Sequence, residues 1–470
     1  MTVRNLSAIT LIKLIGIGTA VAALNLGLFA TAQAEGTSTQ TPSTIVVAAP
    51  AAANSALPYE LGFQATLIDQ QLFKFTSPYS SKNSLLSRNE NEKTDTYTVY
   101  TGVRLSRGLE VYVDPEMARG NGLSTALGLA GFVNGDVVRN PALGMQPYLA
   151  RYFGRWTLAT GNGEQKVEAG ENQIAGPRPT HRLVVTAGKL GTNDIFDVNS
   201  YAGSTRTQFM NWALINSAAY DYAADTRGYS MGVAVEWVNP DWALRLGRFQ
   251  MPTVANGPEM HQNLMRFHGD QVELEVHPHL IRKLDPTVVH LLSYVNVAHM
   301  GNYAQSVALA AGGVPDILLT ERDSAVKYGY GINWEQPVAD GGATGLFGRY
   351  YWSDGATESY AYTEADRSFS LGYQLSGAHW HRKDDKWAIA LVQNDISASH
   401  KAYLQAGGAG FILGDGGLTY GSEQILETYY NYQATKTLTF GLDYQFVNNP
   451  GYNAARGPVS VLSVRAHLEF

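Results

Sequence analysis

Apolar and polar side chains alternate over long stretches of this chain, and the alternation continues to its last residue. Phe470, Leu468, Val464 and Leu462 share one face of an extended strand, while the residues between them include an arginine, a histidine and a glutamate. Residues 97–105, 229–237 and 437–447 repeat this pattern. A period of two predicts β-strands that each have one apolar face and one polar face.

Several of these strands run for about ten residues, which is long enough to cross a bilayer when tilted. Lipid offers the backbone no hydrogen-bond partner, so spanning strands must close into a barrel with apolar side chains outside. A soluble exported β-protein would also alternate, with its apolar face inside. Trp237 and Trp242 flank one tight turn on the apolar phase, as in an interfacial girdle. We therefore predict an all-β, antiparallel outer-membrane barrel.

The predicted barrel domain covers residues 58–470. At roughly 25 residues per strand and loop, this length predicts about 16 strands, with a range of 16–18. Residues 1–34 carry Arg4 and Lys13, an apolar run and the sequence Ala32-Gln33-Ala34, which together predict a signal peptide cleaved near Ala34. A membrane anchor is the alternative, but the apolar run is only marginally long enough. Residues 35–57 are rich in Thr, Ser, Ala and Pro and are predicted to be a flexible linker.

The composition excludes several classes of protein. The chain has no cysteine, which excludes disulfide scaffolds and cysteine-ligated metal sites. A net charge of −7 argues against a nucleic-acid partner. Hydrophobic residues make up 45% of the chain, which argues against disorder.

Nine dispersed strings resemble the carbohydrate-selective porin (OprB) family. They are EVYVDPE at 110–116, GLAGFVNG at 128–135, PYLAR at 147–151, FDVNSYA at 196–202, RTQFMN at 206–211, DTRG at 225–228, EQILETYY at 423–430, NPGY at 449–452 and GPVSV at 457–461.

This resemblance implies a porin of the Gram-negative outer membrane. Such a protein lets glucose and similar mono- or oligosaccharides cross by facilitated passive diffusion, and it is not an enzyme. The expected partners are sugars and outer-membrane lipid, and no cofactor or metal is expected. Because porins are often trimers, a homo-oligomer is possible, and the sequence leaves a monomer equally open.

Charged residues on the polar phase of the strands are predicted to line the lumen. They are Arg104, Glu110, Asp114, Glu236, Arg245, Glu427, Asp443 and Arg465. If Trp237 pairs with Trp242, Glu236 faces Ala243 and Arg245 lies diagonally within reach. Opposed charges in a narrow pore would offer hydrogen bonds to sugar hydroxyls. The alternative is that these charges keep the channel hydrated and stabilise its wall.

Two insertions, residues 115–136 and 207–220, space their apolar residues near a helical period. We predict that one or both fold into the barrel and narrow it, and the alternative is that they cap a barrel end. Five charged residues that flank the second insertion are the predicted constriction residues: Asp194, Asp197, Arg206, Asp225 and Arg227.

Other functions stay open at this point. The same fold could pass acidic sugars, anions or aromatic acids, or serve as a structural or adhesive barrel. Residues 228–232 match the G-x-S-x-G string of hydrolases, but the alternation runs straight through Ser230, whereas that motif needs a strand-turn-helix elbow. The pairs His277 and His279, and His379 and His381, have no third metal ligand at a suitable spacing.

Overall fold

The computed structural model describes residues 58–140, 143 and 146–470. The predicted signal peptide and linker lie outside the described residues. The eighteen described strands are β1 Tyr59–Leu72, β2 Glu90–Ser106, β3 Leu109–Gly120, β4 Tyr148–Ala159, β5 Glu164–Val167, β6 Gly176–Pro179, β7 Arg182–Leu190, β8 Ser230–Val238, β9 Trp242–Gln250, β10 His268–Val276, β11 Val288–Met300, β12 Arg322–Ala339, β13 Thr344–Ser353, β14 Arg367–Ser376, β15 Lys386–Asp395, β16 Glu423–Gln433, β17 Leu438–Asn448 and β18 Val459–Glu469.

Sixteen of these described strands form one closed antiparallel barrel, which confirms the predicted fold. Each strand pairs with its neighbour along the chain, except that β4 pairs with β7, and β18 returns to pair with β1. The two remaining strands, β5 and β6, form a separate hairpin between β4 and β7. At the closure Gln64 lies opposite Glu469, and the amide of Phe63 donates to the carbonyl of Phe470.

The strands connect at two dissimilar ends of the barrel. One end, here called the turn end, has short connections such as residues 107–108, 239–241 and 434–437. The other, the loop end, has the long connections, including residues 121–147, 191–229 and 396–422.

Three short helices lie in loop-end connections among the described residues: α1 Trp212–Ile215, α2 Tyr303–Ala310 and α3 Ala398–Gln405. Each begins after a polar residue, Asn211, Asn302 or Ser397, whose side chain accepts a hydrogen bond from an amide of the first turn. No helix among the described residues has the length and apolar character needed to span a membrane.

The two faces of the strands are inverted relative to a soluble protein. On β17 and β18 the apolar residues Phe440, Leu442 and Val464 are exposed on the outside, whereas Asp443 and Arg465 are buried on the inside. This is the orientation that the alternation predicts for lipid outside and polar groups within.

Aromatic side chains cluster near both ends of the outer face. At the turn end the Trp237 and Trp242 rings meet edge to face with centroids 5.3 Å apart. Toward the loop end Tyr328 and Tyr330 both contact Trp352, at 5.8 and 5.3 Å. Paired aromatic belts of this kind mark the two interfaces of a membrane.

We expect Leu442→Arg to destabilise the barrel in a bilayer by about 2–4 kcal/mol, because it places a charge on the lipid face near the middle of β17. Reversible unfolding from lipid vesicles measures the effect, and Leu442→Met is the matched apolar control. Equal stability of the two variants would contradict the assignment of this face to lipid.

Candidate functional site

Described residues of the loop-end connection at 121–147, here called insertion 1, enter the barrel. The Glu423 side chain on β16 accepts hydrogen bonds from the amides of Ala130 and Gly131, at 3.1 and 2.7 Å. Gln70 and Gln445 both donate to the carbonyl of Val133, at 3.0 and 2.9 Å. Since these side chains project inward from β1, β16 and β17, this part of the insertion lies in the lumen.

The connection at residues 191–229, here called insertion 2, crosses the lumen. On one side Glu427 accepts from the amides of Met210 and Asn211, and Arg465 donates to the carbonyl of Gln208 at 2.8 Å. Across the barrel, Asp197 accepts hydrogen bonds from groups on β12 and β13.

The Asp197 carboxylate is fully buried among its partners. Its Oδ1 accepts from Arg349 at 3.1 Å and from Asn333 and Tyr351 at 2.9 Å each. Its Oδ2 accepts from the amide of Ser217. Loss of one member of a buried pair like Asp197–Arg349 costs about 3–5 kcal/mol. Glu427, predicted to line the lumen, therefore anchors insertion 2 from the wall, and Asp197, predicted as a constriction residue, anchors it from within the insertion.

Both predicted insertions fold into the barrel, with less helix than their spacing predicted. Residues 115–120 belong to β3, and a 3₁₀ turn, Leu123–Thr125, follows in insertion 1. Insertion 2 contains α1, a single turn, around Trp212. The apolar spacing instead reflects packing of insertion 2 against insertion 1 and against the connection at residues 354–366. Trp212 lies 5.7 Å from the Phe132 ring and 5.7 Å from the Tyr362 ring.

Between the insertions and the wall lies a cavity of about 170 Å³. Six charged side chains of both signs line it: Glu116, Asp136, Arg151, Arg206, Asp225 and Arg227. Five aromatic side chains also line it: Tyr148, Trp212, Tyr222, Tyr229 and Tyr362. Three of the predicted constriction residues, Arg206, Asp225 and Arg227, thus meet at one place.

Arg206 links insertion 2 to insertion 1 and to the wall. Its Nη2 donates to Glu116 at 2.9 Å and its Nε to Asp136 at 3.3 Å. Its Nη1 donates to Gln64 and Thr98, at 3.1 and 3.0 Å. These contacts fix the guanidinium group at the edge of the cavity.

Arg227 is held differently, by an aromatic ring. Its guanidinium carbon lies 3.7 Å from the centroid of the Tyr148 ring. Its Nη1 is buried and has no hydrogen-bond partner among the described residues. This nitrogen is therefore a donor whose hydrogen-bonding capacity no described residue satisfies.

Asp225 supplies the opposite charge beside Arg227. It accepts from the amide of Arg227 at 2.9 Å and forms an ion pair with Lys189 at 3.6 Å. Burial raises the pKa of Asp225 above its ordinary range, although Lys189 acts in the opposite direction.

The sequence reasoning missed Arg151, Glu116 and Tyr148 as cavity residues. Arg151 binds Asp194 through two hydrogen bonds of 2.7 Å each, which places Asp194 behind the cavity wall. Glu116 accepts from Tyr148 and from Tyr229. The available signal was their place in the family-like strings at 110–116 and 147–151.

The Glu236–Arg245 pair lies at the turn end, among residues that do not line the cavity. The predicted register was wrong: Trp237 pairs with Leu244, so Glu236 lies directly opposite Arg245 rather than Ala243. The reason is that the amide of Asn239 bonds to the carbonyl of Trp242 within the turn. The expected contact still forms, with Arg245 Nε 3.0 Å from Glu236. Arg245 also binds Glu273 and Glu275.

Arg104, Glu110 and Asp114 lie near a feature that the sequence did not predict, the β5–β6 hairpin. Arg104 and Arg178 both bind Glu110, at 2.9 and 3.3 Å. Asp114 accepts from Asn172 at 2.9 Å.

The hydrolase-like string and the second histidine pair lie in structures that suit neither catalysis by Ser230 nor a shared strand face. Ser230 begins β8 and donates to the carbonyl of Gln250 at 2.8 Å, as a strand residue. His379 lies in a 3₁₀ turn, Gly377–Trp380, and His381 follows it, so the two do not share a strand face. Within the described part of the chain, no group of three or more His, Cys, Asp or Glu side chains could hold a metal ion.

The sequence and the fold are similar to those of known porins. The model of the family described as "Carbohydrate-selective porin, OprB family" matches residues 96–470. The high-pH structure of Pseudomonas putida OprB is similar over 88% of this chain and 94% of that chain, with a TM-score of 0.66 and 15% identity. The channel DcaP of Acinetobacter baumannii covers 88% of this chain and 97% of its own, with a TM-score of 0.49 and 9% identity. No curated protein matches this chain.

The family match extends over most of the chain, and the high-pH structure shares its fold. The chain therefore belongs to the OprB family of carbohydrate-selective porins, and it is an outer-membrane channel for carbohydrates.

Proposed function

We propose that neutral sugars are selected at the cavity between the two insertions, while the rest of the lumen holds those insertions in place. The observation that carries this proposal is that Arg206, Asp225 and Arg227 meet there beside tyrosine and tryptophan rings. Guanidinium groups donate hydrogen bonds and carboxylates accept them, so both signs together suit a solute rich in hydroxyl groups.

The aromatic residues contribute the second part of this selection. Tyr148, Tyr229 and Trp212 line the cavity, and the exposed parts of these rings offer apolar contacts to the C–H groups of a sugar. Passage requires binding that is weak enough to release the solute again. The transport is passive, since diffusion down a gradient needs no further energy source.

The loop end is proposed to face the outside of the cell, because outer-membrane barrels place long loops there and short turns in the periplasm. Both insertions then enter from outside, and a sugar meets the cavity before it reaches the turn end.

The Nη1 of Arg227 has no hydrogen-bond partner among the described residues, and this favours a second candidate function, a channel for acidic sugars. A guanidinium group without a carboxylate partner within the described residues is suited to bind the carboxylate of an aldonic or uronic acid.

Block of single-channel conductance by sugars tests the proposed function. In planar bilayers the folded protein is expected to give stable open channels whose conductance falls as glucose or maltose is added, because bound sugar obstructs the ion path. Gluconate at matched conductivity is the comparison solute. Stronger block by gluconate would favour the acidic-sugar channel, and no block by any sugar would contradict selection in the lumen.

Arg206→Ala and Arg227→Ala are each expected to change conductance and to raise the half-blocking sugar concentration by about five- to tenfold. The reason is that each removes a hydrogen-bond donor from the cavity, and loss of one hydrogen bond typically costs about 1–1.5 kcal/mol. Arg266→Ala is the matched control, since Arg266 is exposed and pairs with Asp323 away from the cavity. Heat-modifiable migration in gels checks folding, and wild-type behaviour in both cavity variants would refute the proposal.

The raised pKa of Asp225 predicts a pH dependence of ion selectivity. As the pH falls, this carboxylate is neutralised before an ordinary aspartate, so the cavity becomes more positive and the preference for cations decreases. Reversal potentials in a KCl gradient measure this preference. Asp225→Asn should flatten the pH response, whereas Asp241→Asn, in an exposed turn, should keep it. An unchanged response in Asp225→Asn would exclude this residue as the cause.

A further inference from the structure

The β5–β6 connection, residues 160–181, leaves the turn end of the barrel and folds back into the lumen. Its tip contacts inward-facing side chains of three barrel strands. Arg104 donates to the carbonyl of Ile174 at 3.2 Å, and Arg155 donates to the carbonyl of Asn172 at 2.8 Å. The amide of Ile174 donates to the hydroxyl of Tyr112. The tip therefore occupies the lumen from the side opposite to the two insertions.

Asn172 is the residue through which the tip meets two carboxylates of the wall. Its amide donates to Glu60 Oε1 at 3.0 Å, and its side-chain nitrogen donates to Asp114 Oδ2 at 2.9 Å. Asn172 adopts a positive φ of 54°, a conformation that asparagine tolerates better than most residues. Asn172 is 9% exposed and Asp114 is fully buried.

Three oxygen atoms around this contact are left without a partner. Glu60 Oε2, Asp114 Oδ1 and Asn172 Oδ1 are all buried, and none accepts a hydrogen bond from the described residues. Neither carboxylate forms an ion pair with a described residue, although the chain forms many elsewhere. A buried, unpaired carboxylate is costly unless it takes up a proton or a positive group neutralises it.

The charges around the two carboxylates do not balance. Glu171 and Asp194 add negative charge to that of Glu60 and Asp114, while Arg151 and Arg155 add positive charge. Carboxylates therefore outnumber guanidinium groups around this contact by four to two. Arg151 is already engaged by Asp194 and Glu171, at 2.7 and 3.6 Å.

We propose that Glu60, Asp114 and Asn172 bind a divalent cation, Ca²⁺ or Mg²⁺, which fastens the hairpin tip to β1 and β3. Carboxylate and amide oxygens are the ligands that these hard cations prefer, and water completes their coordination. A divalent ion supplies positive charge where carboxylates outnumber guanidinium groups. The proposed ligands belong to the hairpin and the wall and do not line the sugar cavity, so the site is distinct from that cavity.

Terbium luminescence of the folded full-length protein in detergent tests this site. Tb³⁺ substitutes for Ca²⁺, and Tyr112, whose hydroxyl contacts the residue two positions beyond Asn172, can sensitise its emission. We expect saturable emission that Ca²⁺ displaces. Asp114→Asn should weaken the affinity by about tenfold or more, because the site loses a charged ligand of similar size.

Glu168→Gln is the matched control, because Glu168 is an exposed carboxylate of the same connection that pairs with Lys166. It should bind Tb³⁺ as the wild type does. Glu60→Gln provides a second test if Asp114→Asn does not fold. The proposal fails if the wild type shows no saturable emission, as it would if protons alone neutralised the two carboxylates. It also fails if the folded variants at positions 114 and 60 bind as tightly as the control.

Discussion

The absence of hydrogen-bond partners in lipid is the constraint on which this structure depends. Every backbone group at membrane depth must be paired within the protein, so an open sheet edge is excluded. Pairing of β18 with β1 removes the last edge, and the C-terminal Phe470 bonds back to Phe63 at that closure. Once the ring is closed, the outer face must be apolar, and the polar side chains are left to the interior.

Most of the charged side chains inside the barrel bind the backbone of the inserted segments rather than face water. Glu423 and Glu427 accept amide hydrogen bonds from insertions 1 and 2, respectively. Glu273 and Glu335 do the same for the amides of Asp197 and Ser200 in insertion 2. Irregular backbone inside a barrel has amides that no strand satisfies, and inward-facing carboxylates satisfy them. The wall thus fixes the shape of the passage by binding the main chain of the segments that narrow it.

The sequence predicted the wall well because the wall follows a local rule. Each inward or outward position, such as Arg465 against Val464, depends only on the period of two and on the choice between lipid and lumen. The interior of the lumen follows no such rule. Asp197 meets Arg349, far along the chain, and nothing in either local pattern indicates the contact. Periodicity also cannot separate a charge that faces water from one that, like Glu427, binds an inserted segment.

Arg151 contacts three parts of the structure whose proximity the sequence did not predict. Its guanidinium group lines the cavity, binds Asp194 of insertion 2 from the loop end, and lies 3.6 Å from Glu171 of the hairpin connection from the turn end. Chain segments that enter from opposite ends of the barrel therefore share one cationic group at the cavity wall. Because a guanidinium group keeps its charge and has a planar, fixed set of donors, movement of either carboxylate alters the hydrogen bonds left for the other. The hairpin connection and the cavity thus share one guanidinium group, although the hairpin tip lies outside the cavity.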